Sequence, residues 1–388
     1  LSPCNRHFQA LSNVIKDGIR EAGGVPMEFP THPIQETGKR PTAGLDRNLS
    51  YLSLVEVLYG YPIDGVILTT GCDKTTPAAL MAAATVNIPS IVLSGGPMLD
   101  GTYKGKKAGS GTIIWEARRL HAKGEISYEE FMDMAAASAP SIGHCNTMGT
   151  ASSMNSIAEA LGMSLTGGAI IPAPYKERES ISFKTGKRIV EMVHEDLTPS
   201  KIMTKKAFEN AIYVASAIGA SSNCPPHLTA IARHMGIDFG IDNWEKLGHD
   251  IPLLVNCQPA GEHLMEGFFK AGGIPAIMQE LMKNNKLHKD LMTVTGKTIA
   301  ENLIEKIDID ENIIKSFKNP LVNNAGFIVM RSNFFNSAVM KTSVISSEFR
   351  KRYLSNPTSL NLFEANAVVF ASNKFRLVGL DKYLFQQV

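Results

Sequence analysis

The sequence predicts an α/β fold: parallel sheet or sheets flanked by helices, followed by the incomplete start of a C-terminal, β-barrel-like domain. Three observations carry this expectation. "DGVILTT" (64–70), "TPAALMAAATV" (76–86) and "IPSIVLSGGPM" (88–98) read as strand, helix and strand of one βαβ unit. Helical patterns recur at 6–22, 46–59, 127–137, 150–162, 205–218 and 226–235. Further on, "KNPLVNNAGFIVMRSNFFNSAVMKTSVI" and "ANAVVFAS" are short β-rich runs broken by Asn, Ser and Gly. Two domains are expected, 1–305 and 306–388, with the change of character inside 290–318.

Each element has a local reason. The run 64–70 is apolar and β-branched and stops at Gly71, as a buried parallel strand does. The helix at 76–86 opens on Thr as N-cap, with Pro77 in the first helical position. The strand at 88–98 ends in a glycine-rich turn. "IPLLVN" (251–256) reads as another strand, and "EHLMEGFFKAGGIPAIMQELMKNN" as helix, turn and helix. "IPAPYKERESISFKTGKRIVEM" (171–192) fits plain helix surface or a polar, substrate-facing segment.

Composition excludes several classes. The chain has 388 residues, enough for two or three domains, and is 44% hydrophobic and 20% charged. Its 39 basic and 37 acidic side chains leave a net charge of +2, with no basic run, which argues against nucleic acid. No apolar stretch approaches the roughly 20 residues needed to span a bilayer, and no signal peptide is visible. Five cysteines, an odd number, do not form a disulfide framework, so a cytoplasmic protein is expected. The opening "LSPCNRHFQAL" lacks Met, which suggests that residues precede it.

Three cysteines share a setting. Cys4 precedes a helical pattern, Cys72 follows a strand and leads into a helix, and Cys145 lies in a polar turn before a helix. Each is followed by a small polar residue: Asn5, Asp73 and Asn146. Helix N-termini favour thiolate, the form that binds metal. Two readings stay open: three thiolates on one soft metal centre, or three unrelated buried thiols. Asp73 and Glu36 are carboxylates suited to a harder cation such as Mg²⁺, although a loop acid is usually just solvated. Lys74 beside Asp73 reads equally as a simple ion pair.

The stretches "SPCN", "GCDKTTPA", "SGGPMLDG", "GSGT" and "GHCNTMGTASSMNS" resemble the dihydroxy-acid dehydratase / 6-phosphogluconate dehydratase family. "RPTAGLDRNLSYLSLVEVLYGYPIDG", "EHLMEGFFKAGGIPA" and "GFIVMRSNFFNSAVMKTSVIS" extend the likeness over residues 1–370. The resemblance implies a hydro-lyase that dehydrates a 2,3-dihydroxy acid to a 2-keto-3-deoxy acid. It implies a [2Fe–2S] cluster on Cys4, Cys72 and Cys145, and Mg²⁺ on Glu36, Asp73 and Lys74, the lysine N-carboxylated. Ser222, Asn223 and His144 are candidate substrate contacts, with helix capping equally open for the first two, and His7 borders the cluster loop. Cys224 and Cys257 match no role and read as structural. The loop "HPIQETGKRPTAGLDRNLSYLSLVEV" resembles the sugar-acid (pentonate or xylonate) branch, in which Glu takes the Mg²⁺ position. The implied partners are a small sugar acid and further copies of the chain, as a homodimer or homotetramer.

The chain also departs from the family pattern. The family's basic Ser and a further Glu, expected in a C-terminal β domain, are not found, and "NKFRLVGLDKYLFQQV" resembles nothing in the family. A fragment lacking the proton-abstracting base is therefore expected. The alternatives are a dihydroxy-acid dehydratase of branched-chain amino-acid synthesis, an inactive truncated remnant that binds only metal or a partner chain, or a zinc protein on the same cysteines.

Overall fold

The computed structural model describes residues 3–32, 34, 43–331 and 336–345. Helix α1 (Phe8–Glu21) and helix α2 (Gly44–Gly60) precede strand β1 (Val66–Thr70), helix α3 (Thr75–Val86) and strand β2 (Ser90–Ser94). β1 and β2 pair in parallel from Val66 opposite Ser90 to Thr70 opposite Ser94, which is the expected βαβ unit. A small hairpin, β3 (Thr102–Tyr103) and β4 (Lys106–Lys107), leads to helices α4 (Ile113–Ala122) and α5 (Tyr128–Ala137). Helices α6 (Thr150–Ala160), α7 (Lys176–His194), α8 (Pro199–Ile202), α9 (Lys205–Ala217), α10 (Cys224–His234), α11 (Ile241–Gly248), α12 (Met265–Lys270), α13 (Gly273–Lys283) and α14 (Ile299–Asn302) follow. Strands β5 (Phe327–Met330) and β6 (Ala338–Lys341) close the described part as an antiparallel pair.

The chain is thus mixed α/β, but helices dominate it. The parallel sheet has two strands, and no closed barrel exists among the described residues. The physical reason lies in α3 and α6. "TTPAALMAAATV" and "TASSMNSIAEA" carry mostly small side chains, and both helices are buried on all sides. Small residues let helix backbones approach closely, so helix-on-helix packing supplies the core that a wider sheet would otherwise supply. The run 251–256 shows the same preference. Its residues 251–255 are apolar and buried, yet the run makes only isolated bridges, Leu253 to Val322 and Val255 to Ile314, and no ladder.

Two helix starts fall earlier than expected. α3 begins at Thr75 with Lys74 as cap, and α10 begins at Cys224 ahead of Pro225 and Pro226. Proline is tolerated there because the first-turn N–H groups have no intrahelical partner. Helix α7, read from sequence as plain surface or as a polar, substrate-facing segment, packs against α1 at Gly18 and Gly186. A Cβ on either glycine would stand 2.2 Å from a carbonyl oxygen of the facing helix. That close crossing carries the Cys4 turn to the end of the sheet.

β5 leans on α11, where the Phe327 and Trp244 rings lie 4.8 Å apart edge to face. Lys341 Nζ donates to the Gly219 carbonyl at 2.6 Å. "ANAVVFAS" and everything else after residue 345 lie outside the described residues. Among the described residues no helix is long and apolar enough to cross a membrane.

Candidate metal centre

The three cysteine-bearing segments meet beyond the carboxyl ends of β1 and β2, where open α/β sheets place their ligands. The Cys4 turn is held from two sides. Gly143 N–H donates to the Pro3 carbonyl at 2.9 Å, two residues before Cys145. On the other side, a Cβ at Gly71 would stand 2.9 Å from the Cys4 carbonyl oxygen, one residue before Cys72. His7 Nε2 donates to the Gly95 carbonyl at 2.9 Å and ties the same turn to the loop after β2.

The Cys72 turn is built by threonines. Thr75 Oγ1 donates to the Cys72 carbonyl at 2.7 Å and accepts from Gly71 N–H at 3.1 Å. Buried Asn155 on α6 accepts from Thr70 and Thr76 hydroxyls, each at 2.9 Å, and so clamps the turn at both ends. The Cys145 turn runs beside the loop after β2. His144 N–H donates to Gly96 and Met98 N–H donates to His144, both at 2.9 Å. Asn146 fixes the next residue by accepting from Ser110 N–H and donating to the Leu99 carbonyl.

Polar groups adjoin the Cys72 thiol. Cys72 Sγ donates to Asp73 Oδ1 at 3.3 Å, and Lys74 Nζ donates to Asp73 Oδ2 at 3.2 Å. Lys74 is only 5% exposed. Burial pushes the Cys145 thiol up to about 12, and the neighbouring Cys4 and Asp73 push the same way. The helix-terminus argument is therefore overruled at Cys145. The cap of α6 is Gly149, four residues away, and desolvation outweighs a dipole that decays within a turn. Three thiolates gathered here require a compensating cation.

Among the described residues, no group of three or more His, Cys, Asp or Glu side chains is itself arranged to hold a metal ion. What the fold brings together is the segments, with a donor set of three soft thiols and one carboxylate. That chemistry fits a thiophilic metal beside a hard cation. Glu36 lies outside the described residues.

The remaining expected residues occupy two places. His144 is fully buried and its Nδ1–H donates to the Cys145 carbonyl at 3.0 Å, while burial lowers its pKa to about 3. Asn223 Nδ2 donates to Thr150 Oγ1 at 3.0 Å, which joins the start of α10 to the start of α6. Ser222 is half-buried in the same loop.

Four residues of the surroundings were not singled out in the sequence. Arg178, fully buried, donates to the Ser94 carbonyl at 2.6 Å, to Gly168 at 2.9 Å and to Ile171. It underpins the loop that holds His7 and His144. Burial lowers its pKa to about 9, against the opposing pull of Glu159. Glu159 accepts from Gly167 N–H at 2.7 Å and Ala169 N–H at 2.9 Å, and burial raises it to about 7. His227 and Arg47 stand on the Lys74 side: Arg47 Nη1 meets His227 Nδ1 at 2.9 Å. All four occupy ordinary helix positions, so no local signal marks them. A surface cavity of about 830 Å³ between α1, α2 and α7 is lined by Ile15, Leu54 and Val190, not by a candidate cysteine.

Residues 1–302 match the family described as dihydroxy-acid/6-phosphogluconate dehydratase N-terminal. The chain is 59% identical over 370 residues to a D-xylonate dehydratase of Caulobacter vibrioides, covering 95% of this chain and 62% of that protein. It is 46% identical over 347 residues to an L-arabinonate dehydratase of Rhizobium leguminosarum, covering 89% of this chain and 60% of that one. A dihydroxy-acid dehydratase of Acetivibrio thermocellus is 38% identical over 352 residues, covering 89% of this chain and 63% of the relative. The chain therefore spans less than two thirds of the length of these relatives, with higher identity to the two sugar-acid enzymes. The shared domain over residues 1–302 and these identities make the chain a member of the dihydroxy-acid/6-phosphogluconate dehydratase family.

Proposed function

We propose that this chain supplies the metal-holding part of a hydro-lyase that removes water across C2 and C3 of a sugar acid, giving a 2-keto-3-deoxy acid. The observation that carries the reading is the meeting of the Cys4, Cys72 and Cys145 segments beside Asp73 and Lys74. Cys4, Cys72 and Cys145 would hold a [2Fe–2S] cluster; Glu36, Asp73 and a carboxylated Lys74 would hold Mg²⁺. Bound there, the two metals supply Lewis acidity at the leaving C3 hydroxyl and offset charge growing at the carboxylate and C2 oxygen.

The chain's own residues space, hold and line the site. Asp73, between Cys72 and Lys74, sets the spacing of the two sites. Lys74 becomes an oxygen ligand when its neutral amine attacks carbon dioxide. The N–C bond forms, one C=O electron pair moves onto oxygen, and an N–H proton leaves to solvent. Ser222, Asn223 and His144 would line or orient the site, and the polar tail of a sugar acid needs such partners. The C2 proton would pass to a base outside the motifs found in this chain. The division at 305/306 and a homo-oligomeric cytoplasmic protein belong to the same proposal.

Full-length protein, purified without oxygen, should contain iron, sulfide and Mg²⁺ and turn over a C5 or C6 aldonate with higher kcat/KM than 2,3-dihydroxyisovalerate. The reverse order would select the branched-chain reading. Zinc without iron or sulfide would reject the cluster.

A further inference from the structure

We propose that His227 is the positioning residue for the modified Lys74: its Nε2–H is the donor kept for the carbamate oxygen, and Arg47 fixes the tautomer that makes it one. The inference rests on the reading of Lys74 as carboxylated.

The tautomer follows from donor arithmetic. Arg47 Nη1 lies 2.9 Å from His227 Nδ1. A guanidinium has donors only, so Nδ1 must accept with its lone pair. A ring whose Nδ1 lone pair is engaged by a guanidinium N–H carries no proton there and is neutral. A neutral imidazole that accepts at Nδ1 carries its proton on Nε2. That Nε2–H is buried, His227 being 5% exposed, and has no acceptor among the described residues. Buried donors in native proteins are almost always matched, so this N–H calls for an acceptor oxygen.

The fold shows where that oxygen would come from. α3 and α10 lie side by side. Near their C-terminal ends Thr85 Oγ1 meets His234 Nδ1 at 2.9 Å. Lys74 caps the N-terminal end of α3, and His227 lies in the first turn of α10. As an ammonium, Lys74 offers His227 only more donors. As a carbamate it offers acceptor oxygens at the same end of the helix pair. The change that makes Lys74 a metal ligand is thus also the change that satisfies His227.

The test is chemical trapping in the full-length protein. A chase with ¹³C-bicarbonate, O-ethylation by triethyloxonium and mass measurement of the Lys74 peptide report carbamate occupancy without any turnover. Wild type should carry the ¹³C label on that peptide. His227→Phe should lower occupancy at least tenfold at equal bicarbonate, with an unchanged circular-dichroism spectrum. His227→Gln, which keeps a side-chain N–H, should stay within about threefold of wild type. Labelled wild type with equally labelled His227→Phe would overturn this inference alone; unlabelled wild type would overturn the carboxylation reading and this inference with it. Where His227→Phe does not fold, Arg47→Met decides, since it frees Nδ1: wild-type occupancy in that variant overturns the proposal, and a loss of threefold or more supports it.

Discussion

Cys145 is half-buried and Cys224 fully buried, yet desolvation pushes both thiols up to about 12. Their neighbours differ. Cys145 has Cys4 and Asp73 beside it, each making a lone thiolate harder to form. Cys224 sits inside the main apolar core at the start of α10, with the Lys341 charge pulling the other way. Desolvation alone therefore does not separate a candidate ligand from a core filler. The separating feature is whether other anionic donors share the place, because only such a cluster asks for a cation.

That contrast can be broken experimentally. The largest effect is expected from Cys145→Ser in the full-length protein: iron, sulfide and visible absorption should all be lost, and activity with them. Cys224→Ser should keep its iron; equal loss in both variants would erase the distinction. Next in size, Asp73→Ala should lower turnover by about 10²–10³-fold, the usual scale for a lost charge-stabilising group. Its cluster absorption should persist, since the carboxylate is assigned to Mg²⁺. Cluster loss with Mg²⁺ binding retained would reverse that assignment.

Scaffold residues sharpen the contrast from the other side. Arg178→Met strips three buried carbonyls of their donor, a loss of about 1–3 kcal/mol for each group left unsatisfied. Urea unfolding measures it, and a change below about 1 kcal/mol would show that the guanidinium is dispensable. The Glu159 carboxyl gives a smaller, pH-dependent effect. Its folded pKa of about 7 lies above the ordinary 4.5, so the folded chain holds this proton more tightly than the unfolded chain between those values. Stability should fall as pH rises through that window, by on the order of 1–3 kcal/mol. Glu159→Gln should flatten this part of the profile, and a wild-type slope in the variant would refute the assignment. The smallest expected effect is Cys224→Ala, about 1 kcal/mol for a small buried side chain, read as a shift in Tm without loss of iron.

Much of the site was legible because it is local. Cys72, Asp73 and Lys74 are consecutive, and the strand before them and the helix after them leave readable periodicities. Cys4 and Cys145 precede helix starts in the same manner. His227 and Arg47 were not legible. They are separated by 180 residues, and each falls within an ordinary helical pattern. Arg178, 84 residues from the Ser94 carbonyl it holds, looked like helix surface in a charged stretch. The run 251–256 failed differently. Its apolar residues are as buried as expected, but the small residues of α3 and α6 let helices take the places that neighbouring strands would need.

The sequence by itself determined the donor types, their order, and the strand and helix starts that carry them, because backbone preference and capping act within a few residues. Only the tertiary structure decided that the Pro3 carbonyl meets Gly143, that Cys4 lies against Gly71, and that Arg47 fixes the proton of His227 on Nε2. Those outcomes join residues far apart in the chain. They depend on which helices pack closely and on which polar groups lose their water, and neither quantity exists before the core has formed.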